Sequence, residues 1–179
     1  MFEALEKPLP RDARYAEARL IEAVLEGVLA LEFLRRGLVR NAAGKAFQAW
    51  RAVLAALLRL ELDKLKTLAK TEEERRWLEE RAVFPVPTTK MVPLSQLLEE
   101  AGHEGILSDT SLALDLHDYQ CHGPDPDMAL SKYRTREEAA AAVKALLRRV
   151  AVRIGEARLR LAEVEKALKR LEEELSRVA

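Results

Sequence analysis

The sequence predicts an all-α protein: a bundle of helices, with an additional short helix and a long C-terminal helix that carries a heptad pattern. Three observations lead there. Ala, Leu, Glu, Arg and Lys dominate the 179 residues, and these have high intrinsic helix propensity. Seven Gly and seven Pro leave long uninterrupted stretches, and aromatic residues make up only 5% of the chain, too few for a sheet protein. Apolar residues also recur at three- and four-residue spacing through most of the sequence.

Pro8 and Pro10 end an irregular lead, after which Ile21, Val24, Leu25, Val28, Leu31 and Leu34 mark one helical face. The first helix is expected over about residues 12–36, with Gly37 placed to supply its left-handed closing residue. From Asn41 to about Ala69 the chain has no Pro and only Gly44. Ala46, Phe47, Trp50, Val53, Leu54, Leu57, Leu58, Leu62, Leu65 and Leu68 form a broad apolar stripe there, which predicts the central helix. Trp50 and Phe47 fall among leucines at helical spacing and read as core. Thr71-Glu72-Glu73-Glu74 is a capping box and starts a segment that carries Trp77 and ends near Val83. Three prolines in residues 84–93 make a connector. Ser95 then opens a short helix that Gly102 stops, with His103 in a solvent-facing turn after it. A further helix is expected over about residues 104–121, broken at Gly123-Pro124.

Thr135-Arg136-Glu137-Glu138 is a second capping box and opens the last helix. There Val143, Leu147, Val150, Ile154, Ala157, Leu161, Val164, Leu168, Leu171, Leu175 and Val178 alternate steps of four and three over five heptads. A continuous helix of this extent would be about 64 Å long, more than the rest of the bundle needs to cover. Either its distal part pairs with another copy or another helix, or the first two helices are long enough to cover it within the chain. The expected organisation is one helical domain over 1–179, with 12–135 as the bundle core and 136–179 as a helix that can extend beyond it.

Thirty basic residues balance thirty acidic ones, which argues against a nonspecific polyanion binder while leaving room for a local patch. Cys121, the single cysteine, has no intramolecular disulfide partner. No apolar run approaches the roughly 20 residues that cross a bilayer. The charged N-terminus does not read as a signal peptide, so the expectation is a cytoplasmic protein with no membrane association. Asn and Gln number four between them, beside abundant Arg and Glu. That bias fits a thermophilic source, although a GC-rich genome would also enrich Arg and Ala.

Chemistry concentrates in one stretch. Two of the three histidines, the cysteine and five of the seven aspartates (Asp109, Asp115, Asp118, Asp125 and Asp127) lie between residues 109 and 127. On a helix, His117 and Cys121 share a face, as do Asp118 and His122. The first of three readings is a metal site, for which a helical pair supplies two of the four ligands that structural zinc needs. The expectation is therefore no metal and no cofactor. The second is acid–base catalysis, such as RNA cleavage, with His117 or His122 moving a proton and Arg134 or Lys132 stabilising the transition state. The third is structural: His117 packs between helices, Cys121 is buried, and the Pro-Asp turn orders its loop and caps the final helix. Gly-rich phosphate loops, nucleophile elbows and H-E-x-x-H pairs do not occur.

The stretch from Asn41 to Ala52, following a helix that ends in Arg35-Arg36-Gly37, resembles the second helix of the archaeal PaREP family, part of the wider HEPN (higher eukaryotes and prokaryotes nucleotide-binding) group. The run from Leu116 to His122 is similar to that family's L-H-x4-H segment. The resemblance implies an up-and-down four-helix bundle, HEPN-like, that often dimerises, and in some members of the group an RNase. Lys45, His117 and His122 are the matching positions. Active HEPN nucleases carry an Arg four to six residues before a His, and no Arg here precedes any of the three histidines at that spacing. The leading expectation is a non-catalytic, self-associating interaction module, homodimeric and open to a protein, nucleotide or nucleic-acid-related partner. Lys45, Asp118, Tyr119 and Asp125 are its candidate ligand contacts. The alternative is a metal-independent RNase that uses His117, His122, Arg134 and Lys132.

Overall fold

The computed structural model describes residues 8–9, 12, 14–82, 86–157 and 162–178. The charged N-terminus (residues 1–7), part of the Pro-rich connector (residues 83–85) and the seam side chains of Leu161 and Val164 lie outside the described residues. Among the described residues there are eight α-helices and no strand: α1 (Tyr15–Arg35), α2 (Val39–Leu60), α3 (Leu62–Leu68), α4 (Glu72–Trp77), α5 (Met91–Glu100), α6 (Ile106–His122), α7 (Arg136–Glu156) and α8 (Ala162–Ser176). The all-α prediction holds.

Gly37 closes α1 as expected. Its φ is +71°, its N–H donates to the Leu34 carbonyl, and the Leu38 N–H donates to that of Phe33. This is the paired bonding of a Schellman end. The chain therefore reverses within three residues, and α2 lies back along α1. Residues 42–58 of α2 are buried almost throughout, with Ala42, Ala43, Ala46, Ala49, Ala52, Ala55 and Ala56 interleaved among Phe47, Trp50, Val53, Leu54, Leu57 and Leu58. The small side chains let neighbouring helices approach on several sides, and α1, α6 and α7 all pack on α2. It is the central helix, as its stripe predicts. It is shorter than expected, however, because Glu61 interrupts the helical geometry (φ −94°, ψ 5°) and sets α3 off as a separate turn.

Both capping boxes form. The Thr71 hydroxyl accepts from the Glu74 N–H at 3.1 Å and that of Thr135 from the Glu138 N–H at 3.2 Å. Each glutamate reaches back one residue beyond the cap, to the N–H of Lys70 and of Arg134. Helix α5 begins at Met91 rather than Ser95. Pro93 lies in its first turn, where the missing N–H would have had no intrahelical partner. His103 is not a solvent-facing turn residue: it is half-buried, and its Nε2 sits 3.1 Å from Glu61 Oε1.

The main correction concerns the C-terminal helix. Helix α7 ends at Glu156, and α8 packs against α1 and α7. A Cβ added at Gly27 of α1 would lie 3.1 Å from Leu171 of α8 and 3.4 Å from Leu147 of α7. In one straight helix those leucines would stand about 36 Å apart, so the chain folds back. Leu171 and Leu175 are buried in their own molecule, and Arg35 pairs with Glu174 across the α1–α8 contact. Among the described residues, the distal part of the seam at Leu171 and Leu175 is covered within the chain.

Candidate functional site

The two segments that resemble the PaREP pattern meet face to face. Helices α2 and α6 run antiparallel: Arg40 bonds the Gln120 and Cys121 carbonyls (3.0 and 2.6 Å), and Phe47 stacks on His117, with ring centroids 4.4 Å apart. The Trp50 indole N–H donates to the Thr110 hydroxyl at 3.0 Å, and that hydroxyl shares a 2.6 Å bond with Ser95. Gly44 lets the Gln120 side chain lie close against α2 at the crossing, since a Cβ there would stand 2.7 Å from it and displace it. Helices α6 and α7 are also antiparallel. Asp109 at the start of α6 binds Arg149 and Arg153 near the end of α7, while Tyr119 and Arg136 meet at the other end. The four long helices α1, α2, α6 and α7 thus alternate in direction.

The structure separates the residues singled out for catalysis. His117 and His122 are five positions apart, about 140° around a helix. His117 faces α2, with Nδ1 buried and unpartnered, whereas His122 is exposed at the end of α6. Arg134 is engaged by Glu138 at 2.7 Å, and the positive charge of Lys132 acts on Asp115. Burial nonetheless pushes the Asp115 carboxyl up, with nearby Asp118 adding to the rise.

The candidate ligand contacts are dispersed as well. Lys45 pairs with Glu26 of α1 at 2.8 Å, and Asp118 is exposed. Asp125 is turned into its own loop, where its Oδ2 accepts from the Leu130 and Ser131 N–H groups (2.6 and 3.2 Å). The Leu130 amide above all holds that carboxyl below the usual range. The Pro-Asp turn does order the loop, but Thr135 caps α7. Cys121, expected to be buried, is exposed. Among the described residues no group of three or more His, Cys, Asp or Glu side chains is placed to hold a metal ion.

Tyr119 and His122 do converge. They line a cleft of ≈ 310 Å³ with Gly37, Leu38, Val39, Arg40, Asn41, Gly123, Pro124 and Arg136. The cleft occupies one end of the bundle, between the α1–α2 turn, the end of α6 and the start of α7. Tyr119 is wholly buried, its ring is edge-on to Tyr133 at 5.8 Å, and its hydroxyl has no hydrogen-bond partner. Burial pushes that phenol up, against the opposing pull of Arg136 and Arg40. The first turn of α2 carries no acidic residue and no side-chain cap. The lining side chains Arg40, Arg136, His122 and Tyr119 offer hydrogen-bond donors and no carboxylate.

Sequence reasoning passed over Arg40, and named Arg136 only as part of the second capping box. A signal was present: an Arg in the first turn of a helix stands at the wrong end of the helix dipole and needs another reason to be there.

Fold and cleft together define an all-α bundle protein with a cationic opening at one end. The chain belongs to the archaeal PaREP1/PaREP8 family, which it matches over residues 18–144. No curated protein and no solved structure matches it. The matched region runs from α1 into the first half of α7 and so includes every residue lining the cleft. Among the described residues no helix is long and apolar enough to cross a membrane.

Proposed function

We propose that the protein is a non-catalytic helical binding module, which holds a ligand or partner at the open end of its bundle. The observation that carries this reading is the division of labour along α6. His117 is committed to the α2 contact by its stack on Phe47, and His122 alone of the two lines the cleft. Cleavage of RNA by acid–base catalysis calls for a base and an acid on opposite sides of the reacting phosphate. The HEPN-like alternative retains one histidine for that work. In this reading Lys45 and His117 hold α2 against α1 and α6, and His122 belongs to the ligand end. Self-association, where it occurs, uses a surface other than the α8 seam, because Leu171 and Leu175 are already covered.

The test is incubation of the purified chain with mixed RNA in chelator, beside His122→Ala. The expected result is intact RNA in both samples. Cleavage by the wild type that disappears in His122→Ala would overturn the reading in favour of the RNase.

A further inference from the structure

Two arginines at the cleft oppose the dipoles of their own helices. Arg40 stands in the first turn of α2 and Arg136 is the first residue of α7, where a cation is disfavoured. Arg40 is partly explained, because its Nε and Nη2 donate to the last carbonyls of α6 and cover the negative end of that helix. Three of its five N–H donors remain. The Arg136 side chain makes no ion pair or hydrogen bond among the described residues. Tyr119 lines the same cleft, and its hydroxyl is buried and unpartnered, although a buried hydroxyl without a partner is costly. The first-turn N–H groups of α2 have no intrahelical acceptor and point toward the same end. Glu137, the nearby carboxylate acting on Tyr119, acts on it least of the charged neighbours.

Resting on the binding-module reading, we propose that this cleft binds a phosphate group carrying two negative charges. Arg136, the free donors of Arg40, the first turn of α2 and the Tyr119 hydroxyl would supply its hydrogen bonds, with His122 at the rim. A phosphate fits better than a carboxylate because its three terminal oxygens can meet donors arriving from α2, α6 and α7 at once. Inorganic phosphate and the end of a nucleotide offer that same chemistry.

The experiment is a calorimetric titration of the full chain with inorganic phosphate, with AMP and with adenosine, repeated on Arg136→Gln and Tyr119→Phe. Phosphate or AMP is expected to bind and adenosine is not. Free phosphate binding as well as AMP identifies the phosphate alone as the ligand, and AMP binding much more tightly identifies a nucleotide. Loss of one charge-assisted contact in Arg136→Gln should weaken binding by about tenfold or more. Tyr119→Phe should weaken it severalfold, with unchanged circular dichroism in both variants. Arg148→Gln, at an exposed position of α7 outside the cleft lining, should bind like the wild type. No binding of phosphate or AMP, equal binding of adenosine and AMP, or undiminished binding in Arg136→Gln would each overturn the proposal. RNA left intact in the same preparation would leave the binding-module reading standing.

Discussion

Asp109 shows how a residue that looks chemical in sequence can be structural. Its carboxylate is 8% exposed and takes two hydrogen bonds from Arg149 (2.8 and 3.2 Å). It takes two more from Arg153 (3.0 and 2.8 Å). Arg153 also donates to the Glu104 carbonyl at 2.7 Å, so the start of α6 is fixed to the end of α7 through one buried cation. Removing the carboxylate charge leaves the Arg153 guanidinium, whose side chain is 4% exposed, with the solvent-exposed Glu156 carboxylate at 3.1 Å as its counter-charge, and breaking a buried pair costs about 3–5 kcal/mol. Asp109→Asn should therefore lower stability by about 3 kcal/mol, read from the midpoint of a urea transition. Asp109→Leu combined with Arg153→Met should cost less than the sum of the two single changes. A loss under about 1 kcal/mol in Asp109→Asn would mean that water reaches the pair. Periodicity alone could not place Asp109 inside, because its neighbours Leu107, Leu112 and Leu114 are only partly buried and Arg153 lies over 40 residues away in sequence.

Among elements, the legible features were those with local causes. Capping threonines, the Gly37 closure and the stripe of α2 act within a few residues of themselves, so the sequence contains all their determinants. The bounds of α5 and the break at Glu61 were less legible, since Pro93 is compatible with a helix only by its place in the first turn. The candidate site was legible by region and not by role. His117, His122 and Tyr119 were found, but the stack on Phe47 and the convergence of Arg40 with Arg136 depend on which helices become neighbours.

The loop between α6 and α7 carries its own prediction. Asp125 binds the Leu130 and Ser131 amides as a carboxylate, and its folded-state value is depressed. Its contribution is therefore complete above the unfolded value of about 4 and is lost as pH falls through the lower folded value. In an acid titration followed by NMR, the Leu130 and Ser131 amide resonances should stay fixed down to about pH 4 and then move together. Movement centred at or above the ordinary aspartate value would refute the loop's dependence on this carboxylate. Asp125→Asn should show the shifted positions at neutral pH.

At the scale of the whole molecule, the heptad repeat was read correctly as a seam and incorrectly as one helix. A three-four alternation records which face is apolar, and it continues in phase across a reversal if both halves find a partner. Gly155, one residue before the end of α7, is the only glycine after Gly123, and glycine is a poor helix former. The reversal returns Leu171 and Leu175 to α1, where Gly27 leaves room for Leu171 beside Leu147, and the Arg35–Glu174 pair lies over the same contact. Removing everything after Ala157 would uncover that surface. Two leucines fully buried contribute about 1.5–3 kcal/mol each, so the truncated chain should lose about 3 kcal/mol or more in a urea transition. Its oligomeric state by light scattering should match that of the full chain. If truncation instead splits an oligomer while leaving the protomer's stability unchanged, the seam works between molecules and the cis packing of α8 is wrong.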